Sequence, residues 1–268
     1  MKPNFKIALI GIALVMGFAS CSNDDEPEIP QQSVIPSTKN VFSQGAPKSF
    51  NGAKITTNDK GQVTKIVSDD DEITFEYGTF SRADEYQVKM SISDPENAGY
   101  EQDFYFQLND KGFAKKAIRI FLDEPDYVDT WEFGYNDADQ LNYARRVEDD
   151  EVYRITYTDG NITKVVRTEQ EYRYEYDIFY TDSKNSSVLS NKGNVMLLYR
   201  AFYIDLQETE IAYYAGLLGK STNNLPVRLE EVDDEYPYED IFNWTMTDGL
   251  PTTFWSTQDT DKIYFTWK

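Results

Sequence analysis

The stretch Trp131–Tyr143 reads WEFGYNDADQLNY and carries the pattern that decides the fold. From Trp131 to Tyr135, aromatic residues alternate with smaller or polar ones, which places three rings on one face of a β-strand. Asn136 and Asp137 then favour a turn, because short polar side chains hydrogen-bond their own backbone. Alternation resumes at the end of the stretch, so the unit predicts a β-hairpin.

Similar turns, in which Asn or Thr precedes Asp, recur along the chain. They begin at Asn58, Asn109, Asn136, Thr158, Thr181 and Thr247. Their spacing accommodates a strand, a turn and a returning strand. The wider gap after Asn58 predicts a further, degenerate turn at Tyr77-Gly78. The sequence therefore predicts an all-β domain, in which a long antiparallel meander forms a curved sheet or an open barrel.

The alternation is interrupted between residues 195 and 218. The spacing of large apolar residues there is closer to intervals of three and four than to alternation, which is typical of a helix. Gly219 is a common kind of helix end, and Pro226 lies shortly beyond it. We predict a helical insertion of one or two helices at 195–218, packed on an open end or face of the sheet.

Composition excludes several classes of site. The 268 residues include 47 acidic and 26 basic side chains, and the net charge of −21 repels nucleic acid. Histidine is absent, which removes the catalytic triads and metal sites that depend on imidazole. Cys21 is the only cysteine, so neither an intramolecular disulfide nor a thiolate zinc site can form. We expect no cofactor, no metal and no nucleic-acid partner.

The N-terminus predicts an exported lipoprotein. Residues 1–20 join Lys2 and Lys6 to a short apolar run, as in a signal peptide. Small residues precede Cys21 and resemble a bacterial lipobox, in which the cysteine is lipidated, although Phe18 replaces the usual leucine. The alternatives are a buried cysteine or a signal cleaved elsewhere.

Residues 21–48 predict an acidic, proline-containing tether. Residues 22–26 resemble the surface-export tag of lipoproteins in Bacteroides-type Gram-negative bacteria, and the other interpretation is a solvated spacer. We expect a single β domain over 49–268. We also expect an outer-membrane lipoprotein whose Cys21 anchor contacts membrane lipid, with the domain exposed at the surface or otherwise facing the periplasm.

Acidic runs alternate with the Asn or Thr turns, at 69–72, 123–126 and 148–151. They could form a carboxylate rim for calcium or for acid–base catalysis, or solvated loops that keep strand edges apart. None has the ligand spacing of a calcium loop. Sequence cannot supply the separation that glycoside hydrolysis requires between two carboxyls. We therefore predict neither catalytic nor metal-ligating residues.

Trp255 is the candidate ligand-binding residue. It follows Phe254 directly, so on a strand the two side chains point to opposite faces. Phe254 shares its face with Leu250, which predicts burial, whereas Trp255 shares its face with Thr253. An indole on the second face could stack on a sugar or dock a partner. The alternative is that the helical insertion covers that face and buries Trp255.

Several motifs are shared with a known family. They are Asn58–Gly61, Tyr135–Asp137, Gly216–Lys220 with Asn224–Pro226, and Phe242–Trp244 with Asp248–Pro251. With the lipobox and the acidic tag, they make the chain resemble uncharacterised Bacteroides-type secreted lipoproteins with a porin-like fold. The resemblance implies a curved antiparallel sheet or open barrel with a helical insertion, and it brings no activity and no catalytic residues.

We predict a non-enzymatic, lipid-anchored envelope protein that binds a ligand or partner, with a glycan or an envelope protein as candidates. One alternative is a carboxylate-dependent carbohydrate hydrolase, and another is a purely structural envelope component. Buried, perturbed carboxylates in a cleft would favour the hydrolase. An exposed aromatic platform would favour glycan binding, and a uniformly charged surface would favour the structural role.

Overall fold

The structure, a computed structural model, describes residues 36–43, 45–81, 85–94, 97–183, 186–232 and 238–267. The chain divides into a unit of residues 1–32 and a unit of residues 33–268, and the described residues belong to the second. The predicted signal peptide and Cys21 lie outside them. In the described part of the chain, no helix is long and apolar enough to cross a membrane.

The described residues form eighteen β-strands. They are β1 (Ser49–Phe50), β2 (Ala53–Thr57), β3 (Val63–Val67), β4 (Glu72–Ser81), β5 (Glu85–Asp94), β6 (Asn97–Leu108), β7 (Ala114–Phe121), β8 (Val128–Tyr135), β9 (Leu141–Arg146), β10 (Glu151–Thr158), β11 (Asn161–Glu169), β12 (Tyr172–Phe179), β13 (Leu189–Ser190), β14 (Asn224–Leu225), β15 (Arg228–Glu231), β16 (Tyr238–Thr247), β17 (Leu250–Ser256) and β18 (Ile263–Thr266).

Sixteen of these strands close into one antiparallel barrel. From β1 to β12 each strand pairs with the next, β15 then pairs with β12, and β18 pairs with β1 to complete the ring. Strands β13 and β14 form a separate two-stranded sheet. The prediction of a long antiparallel meander is confirmed. The sheet closes completely, which removes the exposed edges that an open sheet would carry.

Three hairpin turns use the same side-chain contacts. The Oδ1 atoms of Asn58, Asn109 and Asn136 each accept backbone N–H groups from the residues two and four places later. The residue three places after the Asn has a left-handed backbone conformation, with positive φ, in each turn. These residues are Gly61, Gly112 and Asp139, with φ of 77°, 84° and 66°. Asn therefore begins these turns because its side chain satisfies the turn backbone, and Gly or Asp tolerates the left-handed position.

Two other predicted hairpins are also confirmed. Asp159-Gly160 and Asp248-Gly249 have positive φ at both residues, the conformation of tight type I′ turns. The turn predicted at Tyr77-Gly78 is wrong, because both residues lie inside β4, where the pairing with β5 shifts register between Tyr77 and Phe80. Glycine within a strand commonly marks such an irregularity. At Thr181 no hairpin forms, because the chain leaves the barrel wall there.

The two ends of the barrel differ in their loops. We call one the Asn-turn end, defined by the turns at 58–62, 109–113, 136–140, 159–160 and 248–249. We call the other the acidic-loop end, defined by the connections at 68–71, 122–127 and 147–150. The acidic runs thus occupy the opposite ends of the hairpins from the Asn turns, as the sequence predicted.

Residues 191–223, which we call the plug, fill the inside of the barrel. Their helical parts are α1 (Leu198–Phe202) and a 3-10 helix (Gln207–Tyr213). Plug side chains share one core cluster with inward-facing strand residues such as Phe104, Trp131 and Phe242. The predicted insertion is present, but its helices are short and it lies within a closed wall. A barrel of this strand number would otherwise enclose a channel.

The plug is held at both ends of the barrel. At the Asn-turn end, the N–H group of Ala114 in the wall donates to the carbonyl of Leu217 in the plug. The N–H group of Asn223 in the plug donates to the carbonyl of Gly160 in the wall. Toward the acidic-loop end, Glu208 pairs with Arg119 of β7. The plug therefore spans the interior and contacts strands on several sides.

Part of the predicted tether packs against the barrel. Residues 36–43 include a 3-10 helix, Thr38–Asn40, and the Thr38 N–H donates to the Gly61 carbonyl. Phe42 is buried against Tyr213 and Tyr214 of the plug. The packed domain thus begins before residue 49, because this apolar side chain finds a site among plug aromatics.

Candidate functional site at the acidic-loop end

Two adjoining cavities open between the plug and the wall at the acidic-loop end. The smaller has a volume of about 270 Å³ and is lined by residues that include Phe50, Tyr199 and Tyr214. The larger has a volume of about 540 Å³ and is lined by Arg119, Tyr199, Asp205, Gln207, Glu208, Glu210 and Ile211. Because they share Tyr199, Glu210 and Ile211, we treat them as one site and call it the mouth.

The smaller cavity has an aromatic lining. The rings of Phe50 and Tyr214 stack with their centroids 4.1 Å apart and their planes within 9°. The Tyr214 hydroxyl is buried without a hydrogen-bond partner. Burial raises the pKa of Tyr214 far above its usual value, so the phenol stays neutral and can donate a hydrogen bond. Tyr199 is 54% exposed at the entrance.

Glu210 lies where the two cavities meet. Burial raises its pKa to about 7, and the nearby carboxylates of Asp205 and Glu208 act in the same direction. The backbone N–H of Tyr199, 3.3 Å from Glu210 Oε2, and the charge of Arg200 oppose the rise. The Glu210 carboxyl therefore titrates near neutral pH. It can donate a hydrogen bond when protonated and only accept hydrogen bonds when ionised.

Arg119 connects the inner part of the mouth to the barrel wall. Its Nε and Nη2 atoms both donate to Asp129 Oδ2 of β8, and its Nη1 lies 2.9 Å from Glu208 Oε2. Asp129 is fully buried, and its Oδ1 lies 3.7 Å from Nη2 of Arg146. These charges are buried with partners, as low-dielectric surroundings require.

Buried polar atoms without hydrogen-bond partners are concentrated near Arg119. They belong to Gln102, Asp129, Trp131, Arg146, Gln207 and Thr209. Gln207 lines the larger cavity and has a left-handed backbone, with φ of 52°. Non-glycine residues in this conformation often occur at functional sites.

The structure places Trp255 away from the mouth. Phe254 is buried in the barrel interior, while Trp255 is half-buried on the outer wall of β17, opposite Asn243 of β16. The plug lies inside the barrel and leaves this outer face uncovered by helix. Lys262 Nζ lies 5.0 Å from the Trp255 ring centroid. Ligand binding at Trp255 stays a prediction.

The acidic loop at 147–150 is partly neutralised by neighbouring arginines. Arg146 pairs with Asp149 at 2.7 Å, and Arg145 pairs with Asp150 at 3.0 Å. Among the described residues, no cluster of three or more acidic side chains is arranged to hold a metal ion. These runs serve as charged loops around the mouth.

Sequence reasoning missed the mouth because its residues are distant in sequence. Phe50 comes from β1, Arg119 from β7, and Tyr199 and Glu210 from the plug. One signal was available: Glu208 and Glu210 are acidic residues within the segment whose apolar spacing interrupts the strand pattern.

The fold and the mouth define a plugged antiparallel β-barrel with a ligand-sized opening at one end. Residues 53–249 match the family described as a domain of unknown function (DUF4595) with porin-like fold, and the chain belongs to this family.

Solved structures with a similar fold include two porin-like proteins. A porin-like protein from Bacteroides uniformis ATCC 8492 superposes with a TM-score of 0.59 and 16% identity, over 81% of this chain and 89% of that one. A porin-like protein from Bacteroides vulgatus ATCC 8482 gives a TM-score of 0.51 and 16% identity, over 80% and 92% of the two chains. No curated protein matches the sequence significantly.

Proposed function

We propose that this protein is a lipid-anchored envelope protein that binds a ligand in the mouth and catalyses no reaction. The mouth carries the proposal, because it is concave, has an aromatic lining and presents a few polar groups. Ligand sites in proteins usually have this composition and a volume of about 300–1,000 Å³. A glycan or a segment of an envelope protein would supply the rings and polar groups that such a lining accepts.

The outer wall of the barrel supports a water-exposed domain that relies on the Cys21 lipid for attachment. Cross-strand ion pairs occur on this wall, among them Lys65–Glu72 at 2.7 Å and Lys164–Asp177 at 3.3 Å. A wall in contact with lipid would need a band of apolar side chains. We propose an outer-membrane position for the anchor, with the domain at the cell surface or facing the periplasm.

The experiment combines a ligand screen with variants of the mouth. Glycans and envelope-protein peptides are tested for a rise in Tm, since a ligand that binds only the folded state stabilises it. We expect Tyr199→Ala and Glu210→Gln to reduce the rise, whereas Lys65→Ala on the outer wall leaves it unchanged. A ligand whose stabilising effect survives both mouth variants would place the binding site elsewhere.

Glu210 also favours a second candidate, carboxylate-dependent hydrolysis of a carbohydrate. Its pKa of about 7 suits a general acid, and Asp205 and Glu208 line the same cavity. This function requires the wild-type protein to release reducing ends from a glycan and Glu210→Gln to lose that activity. Binding without turnover would leave the non-enzymatic proposal in place.

A further inference from the structure

Three side chains near Arg119 are buried without satisfying their hydrogen-bonding groups. Gln102, Trp131 and Thr209 are 1%, 1% and 0% exposed, respectively. Neither amide atom of Gln102, nor Trp131 Nε1, nor Thr209 Oγ1 has a partner. Buried polar groups in native proteins are nearly always paired, because leaving one unpaired destabilises the fold. Several such groups in one region point to a partner that arrives from outside the chain.

These side chains lie in the neighbourhood of one arginine. The guanidinium carbon of Arg119 lies 5.4 Å from the centre of the Trp131 ring. Arg119 is the register partner of Phe104, and Gln102 lies two residues before Phe104 on the same face of β6. Thr209 follows Glu208, which binds Arg119. The larger cavity reaches this arginine and also Gln207, whose Oε1 is buried and unpaired.

The charges at this position are already paired within the protein. Arg119 is bound by Asp129 and Glu208, and Arg146 lies 2.7 Å from Asp149. A charged ligand group would therefore find no free counter-charge here. The acidic loops around the entrance further disfavour an anion.

The unpaired atoms include both donors and acceptors. Trp131 Nε1 and Gln102 Nε2 can only donate, Gln102 Oε1 can only accept, and Thr209 Oγ1 can do both. A hydroxyl group donates and accepts at the same atom, so several hydroxyls in one molecule match this set. A purely apolar molecule would leave every one of these atoms unpaired.

We propose that the buried region beside Arg119, which the larger cavity reaches, is a subsite for an uncharged, hydroxyl-rich molecule, a polyol or simple sugar. Its hydroxyls enter beside Arg119 and pair with Gln102, Trp131 and Thr209. These three side chains do not line the cavity, so binding requires the side chains between them and the cavity to shift. The inference rests on the proposed binding function of the mouth, and it names the class of ligand that the mouth takes.

Two buried glutamines provide a matched test of stability. Gln102 is unpaired, whereas Gln140 is 4% exposed and its Nε2 donates to the carbonyls of Gly160 and Ser221, each at 3.0 Å. Without ligand, Gln102→Leu is expected to raise Tm by about 2–4 °C, because it removes two unpaired polar atoms. Gln140→Leu is expected to lower Tm, because it removes the side-chain donor to the Ser221 carbonyl and the acceptor of the Asn136 side-chain amide. A lower Tm in Gln102→Leu would overturn the proposal.

Two buried threonines repeat the test with smaller changes. Thr209 is unpaired, whereas Thr222 Oγ1 donates to the Asn224 carbonyl at 2.7 Å. Valine has nearly the same shape as threonine, so folding should survive at both positions. Thr209→Val should be neutral or stabilising and Thr222→Val destabilising. If Thr209→Val lowered Tm and Thr222→Val did not, the Thr209 hydroxyl would have a hydrogen-bond partner within the fold.

Binding is measured by calorimetry with myo-inositol, glucose and maltose as neutral probes, and with gluconate and glucosamine as charged ones. Wild type and Thr222→Val should bind a neutral probe in preference to both charged ones. Gln102→Leu and Thr209→Val should weaken that binding at least tenfold. Absence of neutral-probe binding at millimolar concentration would mean that the region holds water alone and would overturn the inference.

The same variants separate this inference from the proposed function. A ligand that loses affinity in Tyr199→Ala but binds Gln102→Leu as tightly as wild type would preserve the mouth as a binding site. That result would overturn the hydroxyl-recognising subsite. A neutral probe whose affinity falls in both variants supports the two proposals together.

Discussion

Arg119 Nη1 lies 2.9 Å from Glu208 Oε2, and this ion pair joins strand β7 of the wall to the 3-10 helix of the plug. Arg119 also binds Asp129, which is fully buried, whereas the Glu208 side chain is partly exposed. One guanidinium thus connects the wall, the plug and the inner part of the mouth. The two carboxylates should contribute unequally to stability.

The first prediction compares these two carboxylates. Asp129→Asn should lower the free energy of unfolding by about 3–5 kcal/mol, because it leaves a buried arginine charge poorly compensated. Glu208→Gln should cost about 1 kcal/mol or less, because water screens a partly exposed pair. Urea denaturation of both variants measures the difference. An equal or larger loss for Glu208→Gln would show that the plug contact, rather than the wall pair, dominates.

The second prediction concerns pH and Glu210. Its pKa rises from a usual value of 4.5 to about 7 in the folded protein. Between these values the folded state holds more protons than the unfolded state, so stability should fall as pH rises through this window. The loss should be about 3 kcal/mol for a shift of this size.

Glu210→Gln provides the control for this pH dependence. Glutamine does not titrate, and the chain has no histidine that would otherwise titrate in the same window. The variant should therefore show a flatter dependence of Tm on pH than wild type between mildly acidic and neutral conditions. If both proteins lose stability equally, another group is responsible.

The third prediction compares two glycines with nearly the same backbone conformation. Gly219 and Gly52 have φ of 81° and 82°, but a Cβ on Gly219 would lie 2.6 Å from the Asp139 carbonyl oxygen, whereas one on Gly52 would meet nothing within 4 Å. Gly52→Ala should cost about 1 kcal/mol from backbone strain alone. Gly219→Ala should cost about 1–3 kcal/mol more, because the plug must move away from the turn.

Thermal unfolding of the two alanine variants measures this difference. Similar Tm values would mean that the plug can shift at the Asn-turn end with little loss of stability. A much lower Tm for Gly219→Ala would show that close backbone contact holds the plug there.

The fourth prediction concerns Trp255 on the outer wall. Its side chain is half-buried beneath Lys262, so iodide should reach it from solvent. Trp255→Phe should therefore reduce the quenchable fraction of tryptophan fluorescence, whereas Trp131→Phe, in the core, should not. An unchanged fraction in Trp255→Phe would exclude an accessible binding face there.

The fifth prediction concerns the anchor. Because Cys21 is the only cysteine and follows an apolar run, Cys21→Ser should release the protein from membranes. Fractionation after a high-salt wash measures the release, and a conservative Ser22→Ala change beside it serves as control. A Cys21→Ser protein that stays with the envelope would disprove lipid anchoring at this residue.

The sequence by itself determined most of the strands and hairpin turns and the alternation between faces, although the turns predicted at Tyr77-Gly78 and Thr181 did not form hairpins. The contacts that specify a turn lie within a few residues, as when Asn136 Oδ1 accepts the N–H groups of Ala138 and Gln140. Alternation is equally local, so it placed Phe254 and Trp255 on opposite faces. Local chemistry of this kind is readable without knowing what the strands pack against.

Only the tertiary structure decided that the sheet closes, that the plug fills it and that a mouth exists. Closure depends on pairing Phe50 with Phe265, and the mouth depends on Arg119 meeting Glu208. These partners are far apart in the chain, and no periodic pattern encodes their meeting. The apolar spacing of 195–218 indicates burial, but an insertion inside a barrel and one packed on a sheet bury the same residues. Which of the two arrangements forms depends on whether the wall curves round and closes, and that is set by all the strand pairings together.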